Sequence, residues 1–527
     1  MDKKHSIPIV FGVTGHRDLS QVDEAKLKES VKSELQNYKD KYQDTQLILR
    51  SALAEGADIL VSEVAEELNI VLHVVLPYEE KKYLESFEKS ENKEKFKSLK
   101  KHAAKVQTLV RDDGSSIEDC YENLGKDIAD TSNILLVLWD GKESAKKGGT
   151  AAIVEYARKG FEENRFDQSD GKVLWIFNTP RTKNENVNYH VIQEFLNDNI
   201  NKNRTEEMFI KLNTLNKKIK DETFNTDGIL KTYFTYFEKE AGINQTNLKK
   251  YSKIVLALVW FAILCLELMH NLHIDHFTAG YGLGLLGAFG IYGYFLQKGK
   301  VQDDFVYFRG LAEALRVQGV WNIRKEKKKK KCVSNYYLAS EHHKYTWLRV
   351  VLKNLFYLDK NSFSPYGDEN YDEMMWIEEQ KKYFEKTILD REKSLSRLEW
   401  IESMLYKFGI TVLVLMFVHY TLESLHIIGH HTLPFTWHNL VMVSGILLLS
   451  AVFIGDRYVK IEGYEEEIYN YKKMKNIFAD AEILLNNLDN TRDEYWEIIY
   501  DLGRKALEEN SKWVVLHDSL RIKPEVE

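Results

Sequence analysis

The sequence predicts an α/β domain with a Rossmann-like, doubly wound parallel sheet, followed by an all-α membrane region with four transmembrane helices and further cytosolic helices. Three observations carry this. Short apolar runs alternate with helical patterns through residues 7–180, and turn residues cluster where the apolar runs end. Four apolar stretches follow in two close pairs: Ile254–Met269, Phe277–Leu296, Phe408–Leu422 and Leu440–Ile454. Lys and Arg flank each pair and are missing from the loop inside it.

The strands are expected at 7–13, 46–51, 70–76, 133–138 and 173–177. Helices are expected from Val22 to Tyr38, up to Leu68, around Ile117–Ser132, and from Gly148-Gly149-Thr150 to Lys159. In such a sheet, ligands sit beyond the carboxyl ends of the strands. Glycines and polar residues fall there: Gly12, Thr14, Gly15, His16 and Arg17; Ser51, Glu55 and Gly56; Trp139, Asp140 and Gly141. Gly148, Gly149 and Thr150 open a helix, whose free amides suit a phosphate. Arg17 and His16 can pair with phosphate, and Trp139 can stack on a base or belong to the core.

The 527 residues allow two to four domains. We expect 1–180 as the ligand-sensing domain, 181–250 as a helical stalk, and 251–365 and 366–527 as two membrane modules. A net charge of −7 argues against binding duplex nucleic acid. Cys120, Cys265 and Cys332 are scattered and fit free thiols rather than disulfides or a zinc site. No metal or cofactor is expected. The first apolar run is too short for a signal peptide, which keeps the α/β domain in the cytosol. The positive-inside rule puts both connecting loops outside and both termini in the cytosol. The run Arg324–Lys331 suits contact with anionic headgroups or a solvated loop.

Both pairs carry Leu-Glu-x-x-His at the end of their first segment, with Glu267 and His270 in one and Glu423 and His426 in the other. Ionisable groups at membrane depth are costly and usually functional, so these four are pore candidates. Gly280, Gly284, Gly287, Gly290 and Gly293 recur along the second segment and suit close helix packing.

The combination GVTGHRDL (Gly12–Leu19), SALAEGAD (Ser51–Asp58), LWDG (Leu138–Gly141) and GGT followed by Glu155 resembles the SLOG superfamily, Rossmann-like domains related to the LOG hydrolases and the DprA proteins. The resemblance implies binding of a nucleotide or nucleotide-derived signal. LOG enzymes carry GGxGTxxE. Here the internal glycine is missing and Glu155 falls two residues late counted from the threonine, which favours a sensor over a hydrolase. The membrane part, including Asp304–Arg316, is similar to SLATT modules, which implies a pore-forming, oligomeric effector in antiviral defence. The expectations are therefore a ligand-gated membrane effector, a membrane-anchored nucleotide N-glycoside hydrolase using Glu155 and Arg17, or a non-conducting scaffold.

Overall fold

Runs such as Ile9–Gly15 and Ile134–Trp139 are almost wholly buried. They are strands covered on both faces, which is why they read as continuous rather than alternating apolar runs. The computed structural model describes residues 6–109, 114–144, 146–159, 173–181, 187, 189–195, 202–220, 229–272, 276–298, 300–324, 331–338, 343–358, 371–425, 427 and 435–519. The chain runs β1 (Ile9–Gly15), α1 (Glu24–Lys41), β2 (Leu47–Ser51), α2 (Ala57–Glu67), β3 (Val71–Leu76), α3 (Glu80–Glu85), α4 (Ser90–His102), β4 (Lys105–Thr108), α5 (Ile117–Thr131), β5 (Ile134–Trp139), α6 (Thr150–Lys159), β6 (Val173–Asn178), β7 (Ile192–Phe195) and α7 (Lys202–Ile219). The helices α8 (Ile229–Leu272), α9 (Phe277–Ile291), α10 (Val301–Ile323), α11 (Thr346–Leu358), α12 (Glu373–Ser424), α13 (Phe435–Glu462), α14 (Tyr464–Leu485) and α15 (Asp493–Ser519) follow. They make two compact units, Met1–Thr232 with Lys331–Asn361, and Tyr233–Lys330 with Ser362–Glu527.

In the first unit a seven-stranded sheet has the order β4-β3-β2-β1-β5-β6-β7, parallel except for β7, which runs antiparallel to β6. The five expected strands are present. The short strands β4 and β7 were not anticipated, because KVQT, largely exposed, and IQEF, half-buried, lie in polar stretches at the sheet edges. The α4 helix buries only Phe96 and Leu99, too few to announce a helical stripe.

This unit extends past residue 180. The α7 helix, from the stretch expected as a stalk, clamps the start of β1: Ile7 N donates to Asn216 Oδ1, and Asn216 Nδ2 donates to Ile7 O, both at 2.9 Å. The α11 helix closes the amino ends of the strands. Asn354 is fully buried, and its Nδ2 donates to Pro8 O at 2.7 Å and to Asn133 Oδ1 at 3.0 Å. Tyr357 bonds His73 Nδ1 at 2.7 Å and carries the Arg50 guanidinium 4.6 Å above its ring. Asn354→Ala removes the side-chain donor to Pro8 O and the acceptor of Asn133 Nδ2, while Asn133 Oδ1 keeps the Val10 N–H. Since each buried orphan costs about 1–3 kcal/mol, the substitution is expected to destabilise this unit by roughly 2–4 kcal/mol, read as a lower unfolding midpoint of the detergent-solubilised full chain.

Among the described residues, three helical stretches rather than the expected four are long and apolar enough to cross a membrane: Ile229–His270, Glu373–Ser424 and Val441–Leu485. The exception is the glycine-rich second segment. Its α-helix ends after 15 residues, about 22 Å against a hydrocarbon core of about 30 Å, and continues as a π-helical stretch, Tyr292–Lys298. Its glycines do pack against α8. A Cβ at Gly284 would lie 3.1 Å from Ala262 Cβ, and one at Gly280 would lie 2.7 Å from Cys265 Sγ, whereas Gly290 and Gly293 face open space. Large apolar side chains on these helices are exposed, including Leu286, Phe289, Leu415, Phe417 and Phe453, which suits lipid contact. The polar helices α10, α14, α15 and the first half of α12 pack together around Trp376, Phe384, Phe478 and Trp513.

Candidate functional site

The strand order reverses between β1 and β5, so the crevice of this sheet lies at their carboxyl ends. The backbone there is locked in three segments. His16 N donates to Leu138 O at 3.0 Å, and Ala57 N donates to His16 O at 3.0 Å. Gly56, with φ +79°, caps α2 against the first of these segments. A Cβ on it would stand 2.3 Å from Arg17 O and 2.5 Å from His16 O. Only glycine fits, for reasons of both conformation and space.

Behind this corner is a polar triad. His16 Nε2 lies 3.2 Å from Asp140 Oδ1, Arg181 Nη2 lies 3.2 Å from His16 Nδ1, and Arg181 Nε lies 3.5 Å from Asp140 Oδ2. Burial, followed by the Arg181 charge, pushes the His16 imidazole below its ordinary value, against the opposing pull of Asp140. His16 Nδ1 accepts from Arg181, while Nε2 stands 3.2 Å from both Asp140 Oδ1 and the Asp140 N–H, which compete for it, and Asp140 Oδ2 has no hydrogen bond. Burial opposes ionisation of Asp140, but the Lys142 N–H, His16 and Arg181 outweigh it and hold the carboxyl below its usual range.

In front lies Arg17, exposed, with its guanidinium 5.2 Å from the centroid of the Tyr121 ring and Nη1 3.5 Å from Ser86 Oγ. The Tyr121 and Tyr78 hydroxyls are 2.9 Å apart. Beneath them Tyr83 is buried with its hydroxyl unbonded, and Asp58 is buried with its carboxylate accepting from Ala52 N at 3.2 Å. Desolvation pushes Asp58 up to about 7, although the Ala54 and Ala52 amides and Arg17 act against it.

The loop before α6 reaches the same place. Gly148, with φ +70°, would place a Cβ 2.7 Å from Glu122 N and 3.0 Å from Tyr121 Cβ. Gly149 and Thr150 then start α6, and Gly149 O accepts from Ile153 N. His16, Arg17, Gly56, Asp140 and Gly148 thus share one corner, with Thr14 and Gly15 entering it on β1. Gly141, with φ +75°, turns the chain beside Asp140 in open space.

Other expected residues have structural duties. Gly12 is where α5 packs, since a Cβ there would meet Ser132 and Ile128. Ser51 Oγ accepts from Leu53 N, supporting a residue with φ +55°. Glu55 accepts from Glu88 N, Lys89 N and Asn92 Nδ2, fastening the start of α4. Trp139 lies in the buried cluster of Val137, Val154 and Ala157, with Nε1 bonded to Lys142 O. Glu155 is exposed and paired with Lys159 at 3.0 Å. Glu267 and Glu423 are half-buried near the ends of α8 and α12, His270 is exposed, and His426 lies outside the described residues, as does most of the basic run.

Sequence reasoning missed Arg181, Tyr121, Tyr83 and Ser86. Arg181 had a signal, since it follows β6 just past its carboxyl end. The tyrosines sit on helices α3 and α5 with nothing local to mark them. Among the described residues no cluster of three or more His, Cys, Asp or Glu is arranged to hold a metal. The corner therefore offers a cation, aromatic edges, hydroxyls and close-approach glycines, a set suited to an anionic ligand with a planar part. No protein-family model matches the chain, and no curated protein matches it.

Proposed function

We propose that the protein is a membrane-anchored sensor whose α/β unit binds a nucleotide-like ligand at the carboxyl ends of β1 and β5. The observation that carries this reading is the exposed Arg17 at the topological switch point, beside Gly56, where only glycine fits. The likeness of Gly12–Leu19 and Ser51–Asp58 to SLOG domains agrees with it. Glu155, exposed and already ion-paired, gives no support to a hydrolase, so the reading is recognition rather than turnover. The helical unit is then the effector, a SLATT-like homo-oligomer in the inner membrane that forms or gates a pore in antiviral defence. In this arrangement α9 returns along α8 with its π-helical continuation, both hairpins fold back, both termini are cytoplasmic, and Glu267 and Glu423 line the conducting path. Ligand binding must favour one state of that path differentially, or it shifts nothing.

The test is a thermal-shift screen of the detergent-solubilised full chain against nucleotides, cyclic oligonucleotides and ADP-ribose derivatives. A ligand at 100 times its Kd stabilises by about 2.7 kcal/mol. Arg17→Ala is expected to weaken a hit roughly 10- to 100-fold, the worth of one charge-assisted hydrogen bond. No shift across the panel would sink the sensor reading. A ligand that binds and is cleaved to free base would convert it to the hydrolase.

A further inference from the structure

The second unit contains a cleft that the sensor reading leaves unused. It runs between α8, α10, α12, α14 and α15, with a cavity of about 330 Å³ walled by Glu238, Glu313, Arg316, Glu379, Gln380 and Tyr383. It continues into a narrower recess, shared through Arg309, Glu313, Arg316, Gln380 and Tyr383, that reaches Glu509, Asn510 and Trp513. Sites between bundle helices are common places for small ligands, and this volume is at the small end of their range.

The polar groups of the wall are unevenly satisfied. Arg309 already donates to the Tyr383 and Tyr471 hydroxyls, at 2.9 and 3.3 Å, and stacks 4.5 Å from the centroid of the Trp513 ring. Arg316 is held by Glu238 and Glu313. Both cations are thus engaged through their terminal nitrogens, although Arg316 Nε has no acceptor. The acceptors are not all engaged. Asn510 is 6% exposed and its Oδ1 accepts no hydrogen bond. Glu509, beside it, has no hydrogen bond or ion pair among the described residues, and burial pushes its carboxyl up to about 7 despite the Arg309 charge. Across the whole cleft four glutamates, 238, 313, 379 and 509, face two arginines, 309 and 316. Trp376, Tyr383, Phe384, Tyr471 and Trp513 supply aromatic faces.

An unfilled buried acceptor, a half-buried carboxyl that makes no ion pair, surplus negative charge and aromatic walls are complementary to one chemistry: a cation that carries N–H donors. We propose that this cleft binds a small organic amine of the polyamine class, with one ammonium taken by Glu509 and Asn510 Oδ1. The site is independent of the nucleotide site and does not rest on it.

The test is isothermal titration of spermidine into the full chain in a neutral, uncharged detergent. Saturable binding is expected. It should weaken at least tenfold in Glu509→Gln and in Asn510→Leu, and remain unchanged in Arg17→Ala. Glu509→Gln keeps the size and polarity of the side chain, so its fold is checked by an unfolding midpoint within a few degrees of the parent. Absence of saturable binding to the parent chain would overturn the proposal. So would equal binding by a folded Glu509→Gln variant, which would place the amine on surface carboxylates instead.

Discussion

Gly56→Ala is expected to lower the thermal unfolding midpoint of the full chain by about 5–15 °C and to abolish ligand binding at the β1–β5 corner. Two costs add. At φ +79° an L side chain is strained by roughly 1–2 kcal/mol. The new methyl also meets backbone, Arg17 O at 2.3 Å and His16 O at 2.5 Å, not a flexible side chain that can turn aside. Forcing these apart costs roughly 1–3 kcal/mol more, and each kcal/mol is worth about 2–4 °C in a unit of this size. Relief requires the 16–17 segment to move, and that segment carries the His16 N to Leu138 O and Ala57 N to His16 O bonds that aim Arg17. Gly141→Ala is the control. Its φ of +75° is also positive, but nothing stands within 4 Å of a Cβ there, so only a conformational cost remains. Equal losses in the two variants would show that the corner yields easily, and the claim of a rigid ligand cradle would fail.

Why this corner was legible in the sequence, and the rest of its wall was not, follows from how each part is built. His16, Arg17 and Gly56 sit within a few residues of strand ends, so a rule about sheet edges finds them from the local pattern alone. Tyr83 and Tyr121 reach the same place through the packing of α3 and α5, which depends on the register of distant strands. Trp139 shows the opposite failure: its place at a strand end suggested a ligand platform, but α6 folds over it and makes it core. The boundary at 180 was unreadable for a related reason. Asn216 and Asn354 complete the hydrogen bonding of Ile7, Pro8 and Asn133 from more than a hundred residues away in sequence, and no local composition announces such a contact. In the helical unit, hydropathy located the apolar segments, but it does not register the π-helical turn at which the second α-helix stops.

Asp58→Asn is expected to reverse part of the pH dependence of stability. The Asp58 carboxyl titrates near 7 in the folded chain against an ordinary value of 3.8, because burial outweighs the Ala54 and Ala52 amides and Arg17. A raised folded value means that the folded chain holds a proton the unfolded chain has released. The associated stability is complete below about pH 4, falls as pH rises, and is gone above about pH 7. Its full size is at most about 4 kcal/mol. In Asp58→Asn this descent should vanish. The variant should unfold at a higher temperature than the parent at pH 8 and near the parent at pH 4, since an amide oxygen can still accept from Ala52 N. The same proton reports on the ligand. Arg17 is the cation that favours the Asp58 carboxylate, so an anion that occupies Arg17 weakens that support and draws a proton onto Asp58. Binding near pH 7 is therefore expected to take up a fraction of a proton, measured by calorimetry in buffers of different ionisation enthalpy. Asp58→Asn should bind with no such uptake. A parent chain that binds its ligand without proton uptake would mean that the anion does not sit on Arg17, and the ligand's charged end would have to be sought at the first turn of α6 instead.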